Sequence, residues 1–468
     1  MIITSFALFL LVFIIIGVFS TIKSKNSTSD YLLAGQSIKP WLVALSAVAT
    51  TNSGYMFIGM IGYTYLYGLS SFWLMFGWII GDFTASLFIH KKIRLITTKQ
   101  KVLSFAGVIS NWHGQNHQKV RILAGLITVI FLGTYAAAQL KAGSKALHVI
   151  FGWDYSIGAI IGAIMVMLYC FAGGIRASIW TDAAQSFVMF IAMVVLLFMS
   201  VANAGGIGDL LVKLDAVSDS YLKFFPKGVG GSFFGGGLLF VIGWLFSGFC
   251  VVGQPHIMVR FMTMQKPENI KKVRYYYYSF YTSFFALTIA TGMVSRLIFP
   301  NVNSFEAELV LPKIAMQFLP EMLVGLVLAG LFAASMSTAD SQILSCSASL
   351  TNDFKKFTRK NYIITKLATV FVTIIALLIA LFGSNSVYSL VLIAWSCLGA
   401  SFAPILTLLA LNKKISENTT LAMMVGGFST VLIWRYFGFN LQVNEALPAI
   451  LVGFLVYFAD IFFNNKNG

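Results

Sequence analysis

Long apolar runs, separated by short polar stretches, organise this sequence. Thirteen are long enough to cross a bilayer, which takes about 20 apolar residues in helical form. They fall near 2–22, 41–64, 69–89, 122–150, 154–173, 178–203, 233–257, 275–299, 319–350, 362–383, 386–411, 420–438 and 446–463. The pattern predicts an all-α polytopic membrane protein of about 13 transmembrane helices. Lys and Arg crowd alternate connections: Lys23, Lys25 and Lys39; Lys91, Lys92, Arg94, Lys99, Lys101, Lys119 and Arg121; Arg176; Arg260, Lys266, Lys271, Lys272 and Arg274; Lys355, Lys356, Arg359 and Lys360; Lys413 and Lys414. The remaining connections hold few, chiefly Lys213, Lys223, Lys227, Arg296 and Lys313. Positive charge stays on the cytoplasmic side, so the N-terminus is expected outside and the C-terminus in the cytoplasm.

Composition sharpens this. Hydrophobic residues make up 58% of the 468 and charged residues 10%, a balance no soluble globular domain has. The net charge of +16 lies in short loops between apolar runs, which speaks for membrane orientation and against nucleic acid. Cys170, Cys250, Cys346 and Cys397 all fall in apolar runs, without disulfide or metal spacing. Residues 1–22 have no basic n-region and no small-residue cleavage site, so they are expected to stay as a helix. His113 and His117 read as a solvated loop, the glycine-rich 228–237 lacks a P-loop pattern, and Tyr275 to Tyr278 read as an interfacial aromatic belt. No nucleophile–base pair or metal cluster marks an enzyme.

One apolar run carries unusual polarity. Within LFAASMSTADSQILSCSASLT (331–351), Ala334, Ser337, Thr338, Ser341 and Ser345 recur at spacings of three and four, forming one helix face. Such a stripe serves close helix packing, or it offers oxygen to a hard cation. Asp340 lies beside it, and an intramembrane carboxylate is a functional hypothesis in its own right. Two other runs look interrupted. Residues 47–54, AVATTNSG, have poor helix propensity, and Gly253-Gln254-Pro255-His256 puts a proline inside a span. The breaks lie five spans apart. Glycine and proline are common in membrane helices, but matched breaks point to a transporter with inverted repeats and a midplane site.

Five segments in order, DYLLAGQSI (30–38), ALSAVATTNSGYMFIG (44–59), AGGIRASIWTDAAQ (172–185), GQPHIMVRFM (253–262) and AASMSTADSQ (333–342), carry a further likeness. Over about residues 30–411 the sequence resembles the sodium/solute symporters, nearest the bacterial sodium/proline symporters, with pantothenate permease next. The resemblance implies a LeuT-type 5+5 inverted-repeat core running alternating access. The expected organisation is a single transmembrane domain: an extra N-terminal helix and loop (1–40), repeats at 41–205 and 230–411, and two C-terminal helices (412–468).

The resemblance also implies roles. A sodium site would be formed by the carbonyls of Ala49, Asn52 and Ala334 and the hydroxyls of Ser337 and Thr338. Asp182, with Asp340 and Ser341, would form a second ion site or a release path; an N-terminal helix acid is the plainer reading of Asp182. The substrate site would draw on Ser53, Gly54, Tyr135, Gln139, Ser247, Val251, Gln254 and Pro255. Lys141 would hold a substrate carboxylate, or snorkel outward with Lys145. The proline symporters carry an aspartate important for sodium where this chain has Thr51, and a tryptophan and a tyrosine where it has Ser247 and Val251. The expectation is sodium-coupled uptake of proline or another small amino acid. Alternatives are a symporter for another carboxylate such as pantothenate, possibly proton-coupled, and a transporter-like sensor. The partners are Na+, a small solute and the lipid bilayer of a bacterial inner (plasma) membrane. Neither nucleic acid nor an obligatory protein partner is indicated.

Overall fold

The computed structural model describes residues 1–226, 236–354, 361–383 and 386–464. Lys227, most of the glycine-rich 228–237 stretch, and Lys355, Lys356, Arg359 and Lys360 lie outside the described residues. The main helices are α1 (Ile2–Ser20), α2 (Pro40–Tyr55), α3 (Ile61–Tyr67), α4 (Ser71–Phe88), α5 (Gln118–Phe151), α6 (Tyr155–Asn203), α7 (Leu238–Phe249), α8 (Pro255–Met262), α9 (Ile270–Ile298), α10 (Glu321–Asn352), α11 (Tyr362–Phe382), α12 (Val387–Ala410), α13 (Glu417–Tyr436) and α14 (Ala446–Asn464).

Among the described residues, nine helical stretches are long and apolar enough to cross a membrane, and the bent pair α7–α8 makes a tenth. Two of the nine are 49 residues long, roughly 74 Å if straight and over twice the hydrocarbon thickness. Each turns back at a glycine. Gly68 (φ 63°, ψ −135°) turns the chain between α3 and α4. Gly174 (φ 55°, ψ −141°) splits α6. A Cβ on Gly17 of α1 would stand 2.8 Å from Tyr169 Cβ and 3.2 Å from Thr181 Cγ2. In a straight helix those two residues would be about 18 Å apart. The predicted runs 154–173 and 178–203 are thus the two arms of a hairpin, and each predicted run has a helical counterpart.

The N-terminal linker clamps that hairpin. The Arg176 guanidinium, just past Gly174, donates to Asp30 Oδ1 (2.5 Å), the Ala34 carbonyl (2.8 Å) and Ser37 Oγ (3.3 Å). At the same end, Ile38 N–H donates to the Thr263 carbonyl (3.2 Å) and Gln265 N–H to the Ile38 carbonyl (3.0 Å). This short parallel bridge joins the segment before α2 to the segment after α8.

Helix α10 is the core of the molecule, buried almost throughout from Val324 to Thr351. It packs on α2, α5 and α6. Small residues permit that: a Cβ on Gly330 would lie 2.7 Å from Ala192 Cβ. One charge is not where the loop pattern puts it. Arg260, counted with a cytoplasmic connection, lies fully buried in α8 among carboxylates. Tyr275 and Tyr276 are exposed, as an aromatic belt requires, but Tyr277 turns inward.

Candidate functional site

The first break falls at Ser53, where φ is 51° and ψ 176°. This backbone region is essentially glycine's own and persists only where surroundings enforce it. Carbonyls before the turn face α10. Ser337 Oγ lies within hydrogen-bond reach of the Ala49 carbonyl (3.3 Å) and the Ala334 carbonyl (3.1 Å), with one proton to give. Thr338 Oγ1 likewise lies between the carbonyls of Thr50 (3.0 Å) and Ala334 (3.2 Å). Four of the five expected ion ligands, Ala49, Ala334, Ser337 and Thr338, therefore meet at one place. The Asn52 carbonyl instead accepts the Met56 N–H, and its side-chain amide is buried without a hydrogen-bond partner. Thr50, not foreseen, adds a third main-chain oxygen beside those of Ala49 and Ala334, and its hydroxyl lies 3.1 Å from Ser341 Oγ.

Amides after the turn face the other way. Gly54 N–H donates to Gln139 Oε1 on α5 (2.8 Å), and Tyr55 N–H to Ser53 Oγ (3.1 Å). Gly54 has no room for a side chain: a Cβ would stand 2.7 Å from Ser335 Oγ and 2.8 Å from Ala142 Cβ.

The second break is a 3-10 turn, Cys250–Gly253, followed by extended Gln254 and by Pro255 at the first position of α8. Helices α7 and α8 meet there at 54°. Gln254 Nε2 donates to the carbonyls of Cys250 (3.2 Å) and Trp395 (2.9 Å), bracing the turn against α12. Trp395 Nε1 returns a hydrogen bond to the Ser247 carbonyl (2.8 Å). The Ser247 hydroxyl and Gln254 Oε1 are buried without partners. Val251 is fully buried in the turn. Tyr135 spans the two breaks: its hydroxyl interacts with Ser53, and its ring meets His256 edge-on at 5.6 Å.

Lys141 is not part of this arrangement. Gln139 and Ala142 face Gly54, and Lys141 Nζ instead donates to the Gly383 carbonyl at the end of α11 (2.9 Å). A side chain two positions from Gln139 leaves on nearly the opposite helix face, so it cannot reach the same turn. Lys145 does not snorkel either; it is paired with Glu306 (3.0 Å) and Glu308 (2.6 Å). Trp244 joins an aromatic wall. Its ring lies 5.8 Å from Trp78, which meets Tyr55 at 5.4 Å and Trp395 at 5.3 Å.

Asp182 is no exposed helix-start acid. It is buried on the second arm of α6 and accepts from Ser46 Oγ (2.6 Å) and Arg260 Nη2 (3.1 Å). The same nitrogen lies 2.5 Å from Ser178 Oγ, against Ser341 Oγ, and 3.6 Å from Asp340 Oδ1. Ser341 Oγ in turn bonds Asp340 (2.9 Å) and the Ser337 carbonyl (2.6 Å). The expected second group, Asp182, Asp340 and Ser341, is thus one network with Arg260 at its centre, contiguous with the hydroxyl stripe. Two carboxylates and one guanidinium leave a formal charge of −1 in the interior. Arg260 lay in a quoted motif; what hid its role was its place near the end of an apolar run, where a cation normally marks a loop.

Two interrupted helices brought together around a buried polar turn are the mark of a secondary transporter. The fold agrees. A solved Na+-coupled sialic acid symporter, in a substrate-bound outward-open state, matches with a TM-score of 0.79 over 97% of this chain and 96% of that one, at 18% identity. Mhp1, a nucleobase-cation-symport-1 family transporter, matches at 0.60 over 95% and 96%, with 13% identity. These likenesses give the LeuT-type fold. The model of the sodium:solute symporter family matches residues 31–427, and this chain belongs to that family. Its relatives include the high-affinity proline transporter PutP of Bacillus subtilis (28% identical over 96% of this chain and 95% of the relative). Another is a sodium/proline symporter of Staphylococcus aureus (30% identical over 96% and 89%). The protein is a multi-pass, sodium-coupled solute transporter of the plasma membrane, not an enzyme.

Proposed function

We propose that the chain imports proline or a similar small amino acid, driven by the sodium gradient through alternating access. One observation carries the reading. The carbonyls of Ala49 and Thr50, which face the Ser337 and Thr338 hydroxyls, lie one turn before the amides of Gly54 and Tyr55. Ion and solute would share a single unwound turn, so filling one site shapes the other. Ala49, Thr50, Asn52, Ala334, Ser337 and Thr338 would hold Na+, an ion that prefers oxygen. Asp182, Asp340 and Ser341, with Arg260, would form the inner exit or a second ion site; their net negative charge favours a cation. The solute carboxylate would meet the amide end at Ser53 and Gly54, where a half-helix dipole favours anions. Gln139, Tyr135, Ser247, Val251, Gln254 and Pro255 would complete the pocket.

The names of the relatives support proline, and Ser247 and Val251 favour a pocket reshaped around another small carboxylate. The repeats would run from 41 to 205 and from 230 to 411, with the N-terminus outside and the C-terminus in the cytoplasm. Labelled proline in proteoliposomes tests the proposal. Uptake should require an inward Na+ gradient, saturate, and yield to free amino acids but not to proline methyl ester. Uptake that is equal with K+ would overturn the coupling. Competition by the ester would overturn the carboxylate site, and competition by pantothenate alone the amino-acid assignment.

A further inference from the structure

A second buried carboxylate stands apart from the Arg260 network. Asp82, in the middle of α4, is fully buried, and neither of its oxygens has a hydrogen-bond partner. Its surroundings are phenols from α9: Tyr277 and Tyr278 interact with the carboxyl, and Tyr281 lies near. The Tyr278 hydroxyl is likewise buried and unpartnered. Helix α7, packed along α4, brings no titratable side chain, and α12 meets α4 through Trp395 on Trp78. Cys250 lies in the turn after α7. Toward the Lys99 end, Arg274 bonds the Ser86 carbonyl (2.5 Å), and His90 is buried against Phe261 near Arg274.

The direction of one hydrogen-bond chain is informative. Thr51 Oγ1 donates to the Ala47 carbonyl (2.8 Å). Its single proton is used there, so in the 3.0 Å contact between Thr51 and Tyr277 the phenol must donate. Toward Asp82 the Tyr277 oxygen then offers only lone pairs. A neutral carboxyl can donate to it; a carboxylate cannot be satisfied by it unless Tyr277 turns its proton away from Thr51. Thr51 lies two residues before the strained Ser53, so the state of Asp82 bears on the unwound turn. A dehydrated hard cation would need about six oxygens. The carbonyls of α4 are used within an unbroken helix, which leaves a carboxyl and two phenols, enough for a proton alone.

We propose that Asp82, with Tyr277 and Tyr278, is a proton-binding site of the transport cycle, neutral while Tyr277 donates to Thr51 and ionised when that bond breaks. Binding of Na+ at the Ala49–Thr50 turn would move Thr51, let the Tyr277 proton turn onto the carboxylate, and release the Asp82 proton to water. The proposal requires a sodium-driven cycle but not that the solute be proline.

Infrared difference spectra of the full-length protein in liposomes, recorded on exchanging K+ for Na+, test it without any solute. The wild type should show a change in a carboxylic-acid C=O band. Asp82→Asn should lose that band, and Tyr277→Phe, which leaves the carboxyl in place, should shift it. A wild-type spectrum without such a band, or an unchanged band in Asp82→Asn or in Tyr277→Phe, would overturn the assignment. Failure of proline uptake in the preceding assay would leave this readout intact.

Discussion

Replacing Arg260 by Met should destabilise the protein far more than removing the whole charged cluster. The guanidinium lies 3.1 Å from Asp182 and 3.6 Å from Asp340, and all three side chains are fully buried. At an effective dielectric near 20, each contact is worth about 5 kcal/mol of gross Coulomb attraction. Desolvation consumes much of this, but breaking a buried pair by removing one partner still costs about 3–5 kcal/mol. Met keeps most of the volume, so packing loss stays small. The formal charge of the cluster falls from −1 to −2, with Ser46, Ser178 and Ser341 as the remaining donors near the two acids. The triple variant Arg260→Met, Asp182→Asn, Asp340→Asn removes every charge and should recover most of the loss, to within about 1 kcal/mol of wild type. Equilibrium unfolding of purified protein in mixed micelles, titrated with dodecyl sulfate and followed by tryptophan fluorescence, measures both. If the single variant loses less than about 1 kcal/mol, or the triple is as unstable as the single, Arg260 does not hold these acids together.

Ser337→Ala and Thr338→Ala should each raise the Na+ half-saturation of uptake about tenfold or more, because each removes an oxygen from a charged contact worth about 1.5–3 kcal/mol. Unchanged Na+ dependence in both would place the ion elsewhere. Lys141→Gln should leave the solute half-saturation within about twofold, well under 1 kcal/mol, since the ammonium is held at Gly383; a tenfold rise would return it to the solute site. Cysteine labelling should reach position 99 only from the cytoplasm and position 223 only from outside; both labelled from one side would break the charge-derived topology.

Apolar periodicity read almost the whole helical order, because each span must hide its backbone from lipid and does so with a long apolar run. It could not tell a straight helix from a hairpin, so the fold-back at Gly174 rested on a predicted tight turn alone. Both breaks were visible as local conflicts, a proline and a stretch of weak helix formers inside spans. Lys141 follows Gln139 by two positions, nearly the opposite helix face, and the sequence alone does not say which face meets the turn. Arg260 reads as loop charge in the sequence because its partners, Asp182 and Asp340, come from 78 and 80 positions away in the chain. Asp82 falls under the same rule as Asp340, that intramembrane acids are rarely idle, but no hydroxyl stripe or break in its own run singles it out.

The bridge between Ile38 and Met264 is made of main chain alone. No side-chain substitution short of proline deletes either hydrogen bond, so this tie is insensitive to sequence in a way that the ion pairs around it are not. It yokes the foot of the first interrupted helix to the foot of the second. Two levers joined at one end swing together, and their relative motion is confined to their pivots at Ser53 and Gln254. Opening toward that side then means carrying both feet away as one jaw, rather than parting them.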